Sequence, residues 1–129
     1  MPTKDCGPIL IADDDASTLD GLIEVLTDAG YRVVWARDGQ EVMDLLLGGM
    51  VPILLIIDIA MPHVAGDELL RHVQTDPVLR VVPVLVVTGA PERAGRLVAD
   101  AIVAKPVDLA CLLAHVRRLT GDVAETRST

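Results

Sequence analysis

The sequence predicts an α/β fold in which a parallel β-sheet carries helices on both faces. Short, β-branched, almost uninterrupted apolar runs alternate with helical patterns along the chain, and such runs are typical of strands buried on both sides. Because right-handed crossovers between parallel strands place their helices against the sheet, this alternation indicates an open, doubly wound sheet. The five predicted strands are Pro8–Ala12, Arg32–Trp35, Ile53–Ile57, Val81–Val87 and Ala101–Ala104.

Two helices are predicted in the first half of the chain. Apolar residues at helical spacing run from Leu19 to Leu26, and Gly30 ends that pattern as a carboxyl-terminal glycine. The second helix begins with Asp38 and Glu41, which have the spacing of a capping box. A pair of glycines ends this second helix.

Two clear helices and one weaker pattern follow in the second half. Apolar residues over Leu69–Val73 indicate a third helix, which Pro77 ends. The strongest pattern is Leu109–Leu119, with Asp108 as its predicted N-cap. A weak pattern over Glu92–Ala99 predicts one more helix between the last two strands.

Length and composition indicate one domain that is not inserted in a membrane. The chain has 129 residues, which is typical of a single domain, with a core over about residues 7–120 and a frayed tail over 121–129. The longest uncharged stretch, Leu45–Ile57, has 13 residues, too few to span a bilayer. The amino terminus lacks the apolar region of a signal peptide. Cys6 and Cys111 fit neither a metal spacing nor a disulfide framework, so we expect a cytoplasmic protein.

The charge distribution disfavours direct contact with nucleic acid. The chain has 11 Lys+Arg against 19 Asp+Glu, a net charge of −8, and residues 1–62 carry the whole excess. There is no basic patch and no Phe, and Tyr31 and Trp35 are the aromatic residues available for stacking on bases. An acidic surface of this kind attracts cations instead.

Polar side chains directly follow four of the five predicted strands. Open parallel sheets bind their ligands beyond the carboxyl ends of the strands, so these positions are candidates for a site. The glycine-rich signatures of dinucleotide and P-loop nucleotide sites are absent from the sequence. The candidates are Asp13, Asp14 and Asp15 after the first strand, Asp58 after the third, Thr88 after the fourth and Lys105 after the fifth.

The acidic candidates predict a Mg²⁺ site. Asp58 ends a strongly apolar run, where an ionised carboxylate is costly to desolvate. If the first and third strands are neighbours, Asp58 faces Asp13–Asp15, and such close carboxylates repel one another unless a cation shares the site. Mg²⁺ prefers carboxylate oxygens and retains waters that phosphate oxygens can replace. No His or Cys lies at a matching strand end to hold zinc.

Lys105 and Thr88 would complete a site for a phosphoryl group. The chain has nine arginines and two lysines, so a lysine at a strand end indicates a need for a compact ammonium. A carboxylate nucleophile, a hydroxyl donor and an ammonium together suit a phosphoryl group in transfer.

The sequence resembles the receiver domains of two-component response regulators. The resemblance covers roughly residues 7 to 120, and its motifs occur in the family's order at the predicted strand ends. It implies a flavodoxin-like sheet with strand order 2-1-3-4-5. The motifs are ILIADDD (Ile9–Asp15), IIDIAMPHVAG (Ile56–Gly66), VVTG (Val86–Gly89) and AKPV (Ala104–Val107).

The resemblance also implies partners and roles for the site residues. Asp58 would accept a phosphoryl group from a sensor histidine kinase or a histidine phosphotransfer protein, and the phosphorylated chain would change its surface toward an output partner that the sequence does not identify. Asp15 would cap the first helix. Asp58, Asp13, Asp14 and the backbone carbonyl of Ala60 would hold Mg²⁺, and Thr88 and Lys105 would bind the phosphoryl oxygens.

The chain departs from the family's pattern at positions that the resemblance assigns to the output surface. Ile102 stands where the family usually has an aromatic residue that acts as a rotamer switch. The stretch from Thr88 to Lys105 is shorter than usual, so the resemblance implies a shortened or irregular fourth helix.

Two alternative functions remain open at this point. A degenerate receiver would bind a partner without phosphorylation, although such a module does not need the intact set of acids, hydroxyl and ammonium. A small Mg²⁺ phosphohydrolase with an aspartyl nucleophile would need insertions that cover a substrate, and the chain has none of that length. We expect a protein that promotes its own phosphorylation and is not an enzyme acting on a separate substrate.

Overall fold

The computed structural model describes residues 7–58, 66–91 and 99–121, with the backbone alone at 66 and 67. Strands and helices alternate along these ranges, as the sequence predicts. In chain order they are β1 (Ile9–Ala12), α1 (Ala16–Asp28), β2 (Val33–Ala36), α2 (Gly39–Leu47), β3 (Leu54–Asp58), α3 (Gly66–Thr75), a 3₁₀ turn (Leu79–Val81), β4 (Val84–Thr88), β5 (Ala101–Ala104) and α4 (Leu109–Leu119).

The five strands form one parallel sheet in the order β2-β1-β3-β4-β5, which confirms the predicted fold class and strand order. Ala12 pairs with Ile57 across β1 and β3, and Thr88 pairs with Ala104 across β4 and β5. This register brings the last residues of four strands to one edge of the sheet, which we call the carboxyl edge.

Both faces of the sheet are buried. Leu10 and Leu55 belong to an apolar core that β1 and β3 form with residues of α2 and α3. Ile11 and Ile56, one position further along the same strands, belong to a second core with residues of α1 and α4. Because successive side chains of a strand point to opposite faces, an uninterrupted apolar run supplies both cores at once.

The helix ends form as the sequence predicts. Asp38 is the N-cap of α2, and its carboxylate accepts the Glu41 N–H at 2.9 Å. Asp108 is the N-cap of α4 and accepts two N–H groups of the first turn. Gly30 follows α1 with φ of 97°, a conformation that glycine adopts without steric cost.

The structure differs from the sequence prediction at the beginning of β4. The predicted strand began at Val81, whereas Val81 ends the 3₁₀ turn and β4 begins at Val84. The Asp76 carboxylate accepts the N–H groups of Val78 and Leu79 at 2.8 and 3.1 Å, so the chain turns before it extends. An apolar run alone does not distinguish a buried strand from an apolar turn leading into it.

Two other predictions concern residues outside the described ranges. The fourth helix of the sequence prediction falls mainly on residues 92–98, and the predicted frayed tail falls on residues 122–129. Within the described ranges, no helix is both long enough and apolar enough to cross a membrane.

Candidate functional site

The carboxyl edge brings together the predicted site residues from four strands. Asp13 directly follows β1, Asp58 ends β3, Thr88 ends β4 and Lys105 follows β5. Asp13, Asp58 and Thr88 are buried, with exposed fractions of 1%, 5% and 1%. Buried polar side chains are uncommon unless they are paired or functional, so this edge is the candidate site.

Lys105 bridges two of the carboxylates. Its Nζ atom lies 3.2 Å from Asp58 Oδ2 and 3.1 Å from Asp13 Oδ2. The backbone holds the lysine in place, because the Lys105 N–H donates to the Thr88 carbonyl at 2.8 Å and so extends the pairing of β4 and β5 by one residue. The ammonium is therefore the counter-charge of the site.

Burial disfavours the ionised form of Asp13. Its Oδ1 atom accepts the Asp15 N–H at 2.9 Å, whereas its buried Oδ2 atom accepts no hydrogen bond from the described residues. Burial raises the pKa of Asp13, although the Asp15 N–H and the Lys105 ammonium act in the opposite direction. The ionised form of Asp13 is therefore less favourable in the folded chain than in water.

Asp13 and Asp58 also change the pKa of Lys105. Burial alone would lower the pKa of Lys105 and is the largest single influence on it. The hydrogen bonds and charges of Asp13 and Asp58 together outweigh burial and raise the pKa of Lys105 above its ordinary value. Lys105 therefore stays protonated over the physiological range.

A divalent cation fits the donor set. Carboxylate oxygens of Asp13, Asp14 and Asp58 all lie within 4.8 Å of one another. Asp14 is exposed and the other two are buried, so the group opens to solvent on one side. Three carboxylates, with one buried oxygen lacking a hydrogen bond, suit a hard cation such as Mg²⁺. Ala60, the fourth predicted ligand, lies outside the described residues.

Thr88 places a hydroxyl at the same edge. Its Oγ1 atom accepts the Ala90 N–H at 3.0 Å. In the described part of the chain the hydroxyl donates to no acceptor, so its proton is available to a ligand. Asp15, predicted as a cap, is the N-cap of α1, and its carboxylate accepts the Ser17 N–H.

The structure adds a cleft that the sequence analysis did not identify. It has a volume of about 550 Å³ and lies between the first turns of α1 and the segment from β5 into α4. Lys105 lines this cleft and also contacts Asp58 of the carboxylate cluster, so the cleft lies beside the cluster. Gly21, inside an otherwise regular helix, was the available signal. The lining residues are Asp15, Ser17, Thr18, Gly21, Lys105, Pro106, Val107 and Leu109.

Comparisons with known proteins agree with this geometry. A family model described as the response regulator receiver domain matches residues 9–117. The chain is 32% identical over 117 residues to response regulator RR06 of Streptococcus pneumoniae serotype 2, covering 86% of this chain and 52% of that protein. It is 27% identical over 119 residues to the polar-differentiation response regulator DivK of Brucella anthropi, covering 88% of this chain and 96% of that protein.

A solved structure shows the same architecture. The signal receiver domain of a signal transduction histidine kinase from Syntrophus aciditrophicus superposes with a TM-score of 0.81 and is 32% identical. The match covers 91% of this chain and 92% of that one. This chain spans about half the length of the Streptococcus relative and nearly the whole of the Brucella relative.

Proposed function

The chain belongs to the response regulator receiver domains of two-component signalling, and from that premise we propose that Asp58 accepts a phosphoryl group from a phosphohistidine donor in a reaction that depends on Mg²⁺. The observation that carries the proposal is the position of Asp58. It is buried at the end of β3, 3.2 Å from the Lys105 ammonium, in a cluster with Asp13 and Asp14.

The proposed transfer uses groups of the carboxyl edge. A carboxylate oxygen of Asp58 forms a bond to phosphorus while the bond from phosphorus to the donor's imidazole nitrogen breaks, and that nitrogen keeps the electron pair. Lys105 is placed to neutralise charge on the transferred group, because its ammonium already contacts the attacking carboxylate. The Thr88 hydroxyl supplies a proton donor at the next strand end.

Asp13, Asp14, Asp58 and the backbone carbonyl of Ala60 would hold the cation. Bound Mg²⁺ would offset the charge that develops on the phosphoryl oxygens. The Oδ2 atom of Asp13 lies 3.1 Å from the Lys105 ammonium but accepts no hydrogen bond from the described residues. This supports a cation at this place, since a buried carboxylate oxygen without a hydrogen bond is costly.

The chain would act as a switch that other proteins read. We propose that it promotes its own phosphorylation, turns over no separate substrate, and changes a partner-binding surface when phosphorylated. We propose that the donor is a sensor histidine kinase or a histidine phosphotransfer protein and that the chain acts in the cytoplasm. No direct contact with nucleic acid is proposed.

Intact mass spectrometry tests the proposal. The full chain is incubated with a small-molecule phosphodonor, with and without Mg²⁺, and the fraction carrying one added phosphoryl group is measured. We expect the gain in the wild type with Mg²⁺, its loss with a chelator, and its loss in Asp58→Asn.

The matched control is Asp20→Asn, which removes an exposed acid of α1 and should label like the wild type. An Asp58→Asn protein that still labels stoichiometrically would contradict the assignment. A folded wild type that never labels would support a phosphorylation-independent binding module instead.

A further inference from the structure

The outer edge of β2 has no partner strand in the described part of the chain. There, β2 lies at one end of the sheet and pairs with β1 alone. The Ala36 carbonyl accepts the Asp13 N–H at 3.1 Å, and the Arg32 carbonyl likewise bonds to β1 at 2.8 Å. Because backbone groups alternate in direction along a strand, those of Val33 and Trp35 point away from the sheet. The N–H and C=O groups of these two residues are therefore placed to pair with a further strand.

Trp35 adds apolar surface to this edge. It is the one tryptophan of the sequence, and 51% of it is exposed. Val33 and Val34 precede it, so the strand carries the residue types that stabilise pairs between neighbouring strands. An unpaired strand edge is a template for another chain, and a half-exposed aromatic ring beside it favours an added strand that covers both.

An arginine stands at each end of β2. Arg32 directly precedes the strand and Arg37 directly follows it, and both side chains are exposed. These are the two bases of residues 7–58, a range that contains ten acids. Neither guanidinium makes an ion pair or a hydrogen bond with any described residue. Two unpaired cations thus frame the apolar strand edge.

The two arginines make a second copy of this chain an unsuitable occupant. Pairing of β2 with β2 of another copy would place arginine beside arginine at both ends, whether the strands run parallel or antiparallel. Like charges directly opposite one another destabilise paired strands. The net charge of −8 on each copy adds to the repulsion. The arrangement therefore favours a different polypeptide, one that places acids against the arginines.

The helices beside β2 restrict the rest of that polypeptide. Both α1 and α2 contact β2, and neither helix contains a base. Their exposed acids repel further negative charge, so the partner should be neutral or basic outside the two acids that meet the arginines. These exposed acids are Asp20, Glu24 and Asp28 of α1 and Glu41 and Asp44 of α2.

We propose that the outer edge of β2 binds an extended segment of a partner protein, which adds to the sheet as a further strand. The segment has apolar and β-branched residues between two acids. Arg32 and Arg37 are an odd number of positions apart, so they point to opposite faces of the sheet, and two acids at the same separation in an extended partner do so as well. Backbone pairing would supply the affinity and the acids would fix the register. The proposal does not depend on phosphorylation of Asp58.

A synthetic peptide tests the proposal through the fluorescence of Trp35. The peptide has blocked ends and no tryptophan. Valine and threonine alternate over its four central positions, a glutamate lies on each side of them, and a lysine lies outside each glutamate. The tryptophan emission of the full chain should shift to shorter wavelength and saturate, because the peptide covers the half-exposed ring. A few net hydrogen bonds and one aromatic contact predict a dissociation constant of roughly 0.1 to 1 mM.

Two altered peptides separate the contributions of charge and backbone. In the first, the glutamates and lysines are exchanged, so the composition and the net charge stay the same. The wild type should bind it about tenfold more weakly, because two attractive contacts become repulsive. In the second, the backbone nitrogens of the four central positions are methylated, which removes the donors that pair with β2 and should abolish binding.

Reversal of the two charges locates the binding site. Arg32→Glu combined with Arg37→Glu should bind the exchanged peptide more tightly than the original one. The control, Arg80→Glu combined with Arg117→Glu, changes the net charge equally at exposed positions away from β2 and should keep the wild-type preference. Thermal melting checks that both variants fold.

Three results would overturn the proposal. The first is a wild type whose emission does not respond to the peptide over the expected concentration range. The second is equal affinity of the wild type for the original peptide and either altered one, which needs no variant to fold. The third is a folded charge-reversal variant that keeps the wild-type preference.

Discussion

The carboxyl edge of the sheet and the opposite, amino edge differ in which side chains they bury and which they expose. At the carboxyl edge, Asp13 and Asp58 are buried and share one ammonium, that of Lys105, at 3.1 and 3.2 Å. At the amino edge, apolar side chains are exposed and the one acid of the turn, Asp76, accepts two backbone N–H groups. The same sheet thus buries charge at one edge and exposes apolar surface at the other.

The difference shows which edge is arranged for chemistry. Hydrogen bonds from Val78 and Leu79 lower the pKa of Asp76, so its ionised form stabilises the turn above its ordinary pKa of 3.8 and that contribution is lost as the pH falls. Burial raises the pKa of Asp13, so its ionised form opposes folding. Residues that oppose folding are expected where a ligand later stabilises them.

The largest effect should come from removing the shared ammonium. Lys105→Met removes the ammonium that contacts two buried carboxylates and should lower the free energy of unfolding by about 2 kcal/mol, a value reduced for the lysine's partial exposure. Chemical denaturation measures this, and Arg117→Met on the exposed side of α4 is the control. Because the pKa of Lys105 is raised, its contribution is full below pH 10.5 and is lost as the pH rises through the folded value.

Mg²⁺ should partly substitute for that ammonium. A cation that binds the folded state at ten times its dissociation constant raises the free energy of unfolding by about 1.4 kcal/mol. Thermal melts with increasing Mg²⁺ should show this in the wild type, and a larger shift in Lys105→Met. An unchanged wild-type melting temperature, or the same shift in the double variant Asp13→Ala/Asp14→Ala, would count against the cation site.

Asp13→Asn should stabilise the protein in the absence of Mg²⁺. The amide has the shape of the carboxylate and can still accept the Asp15 N–H, but it carries no buried charge, so a gain of about 1 kcal/mol is expected. The difference in the free energy of unfolding between Asp13→Asn and the wild type should disappear as the pH falls through the raised pKa of Asp13, because the carboxyl group of Asp13 then becomes neutral in the wild type as well. The control variant Asp14→Asn, at an exposed neighbouring position, should have nearly the wild-type free energy of unfolding. A destabilised Asp13→Asn would refute the claim that the ionised form of Asp13 opposes folding.

The smallest effect should come from the amino edge. Val81→Ser changes a side chain that is 77% exposed, so in dilute solution it should alter the free energy of unfolding by less than about 0.5 kcal/mol. Leu79→Ala, two residues earlier and buried, should cost about 2 kcal/mol or more. A large loss of stability in Val81→Ser would show that the Val81 side chain packs into the core.

The sequence predicts the fold well because its strands are buried on both faces. Runs such as Ile9–Ala12 carry no alternation, and they end abruptly at charged residues such as Asp13, so both the strand and its functional end are visible. Helix ends were equally readable, because a cap such as Asp108 acts on the next few backbone N–H groups and needs no distant partner.

Contacts between distant residues could not be predicted in the same way. Lys105 stood out through composition, but its contact with Asp13, 92 positions away, depends on the strand order and register. The turn at Asp76 was missed because valines that extend an apolar run resemble the beginning of a strand. The cleft beside Lys105 was missed because Gly21 contributes to it by lacking a side chain.

Direct location of the phosphoryl group tests the central claim, that the buried carboxylate ending β3 is the reactive one. The chain is phosphorylated with a small-molecule donor and Mg²⁺, reduced with borohydride, which converts an aspartyl phosphate to homoserine, and sequenced as peptides by mass spectrometry. The account predicts homoserine at position 58, in proportion to the phosphoryl mass gain. Homoserine at Asp13 or Asp14, with position 58 unchanged, would contradict it.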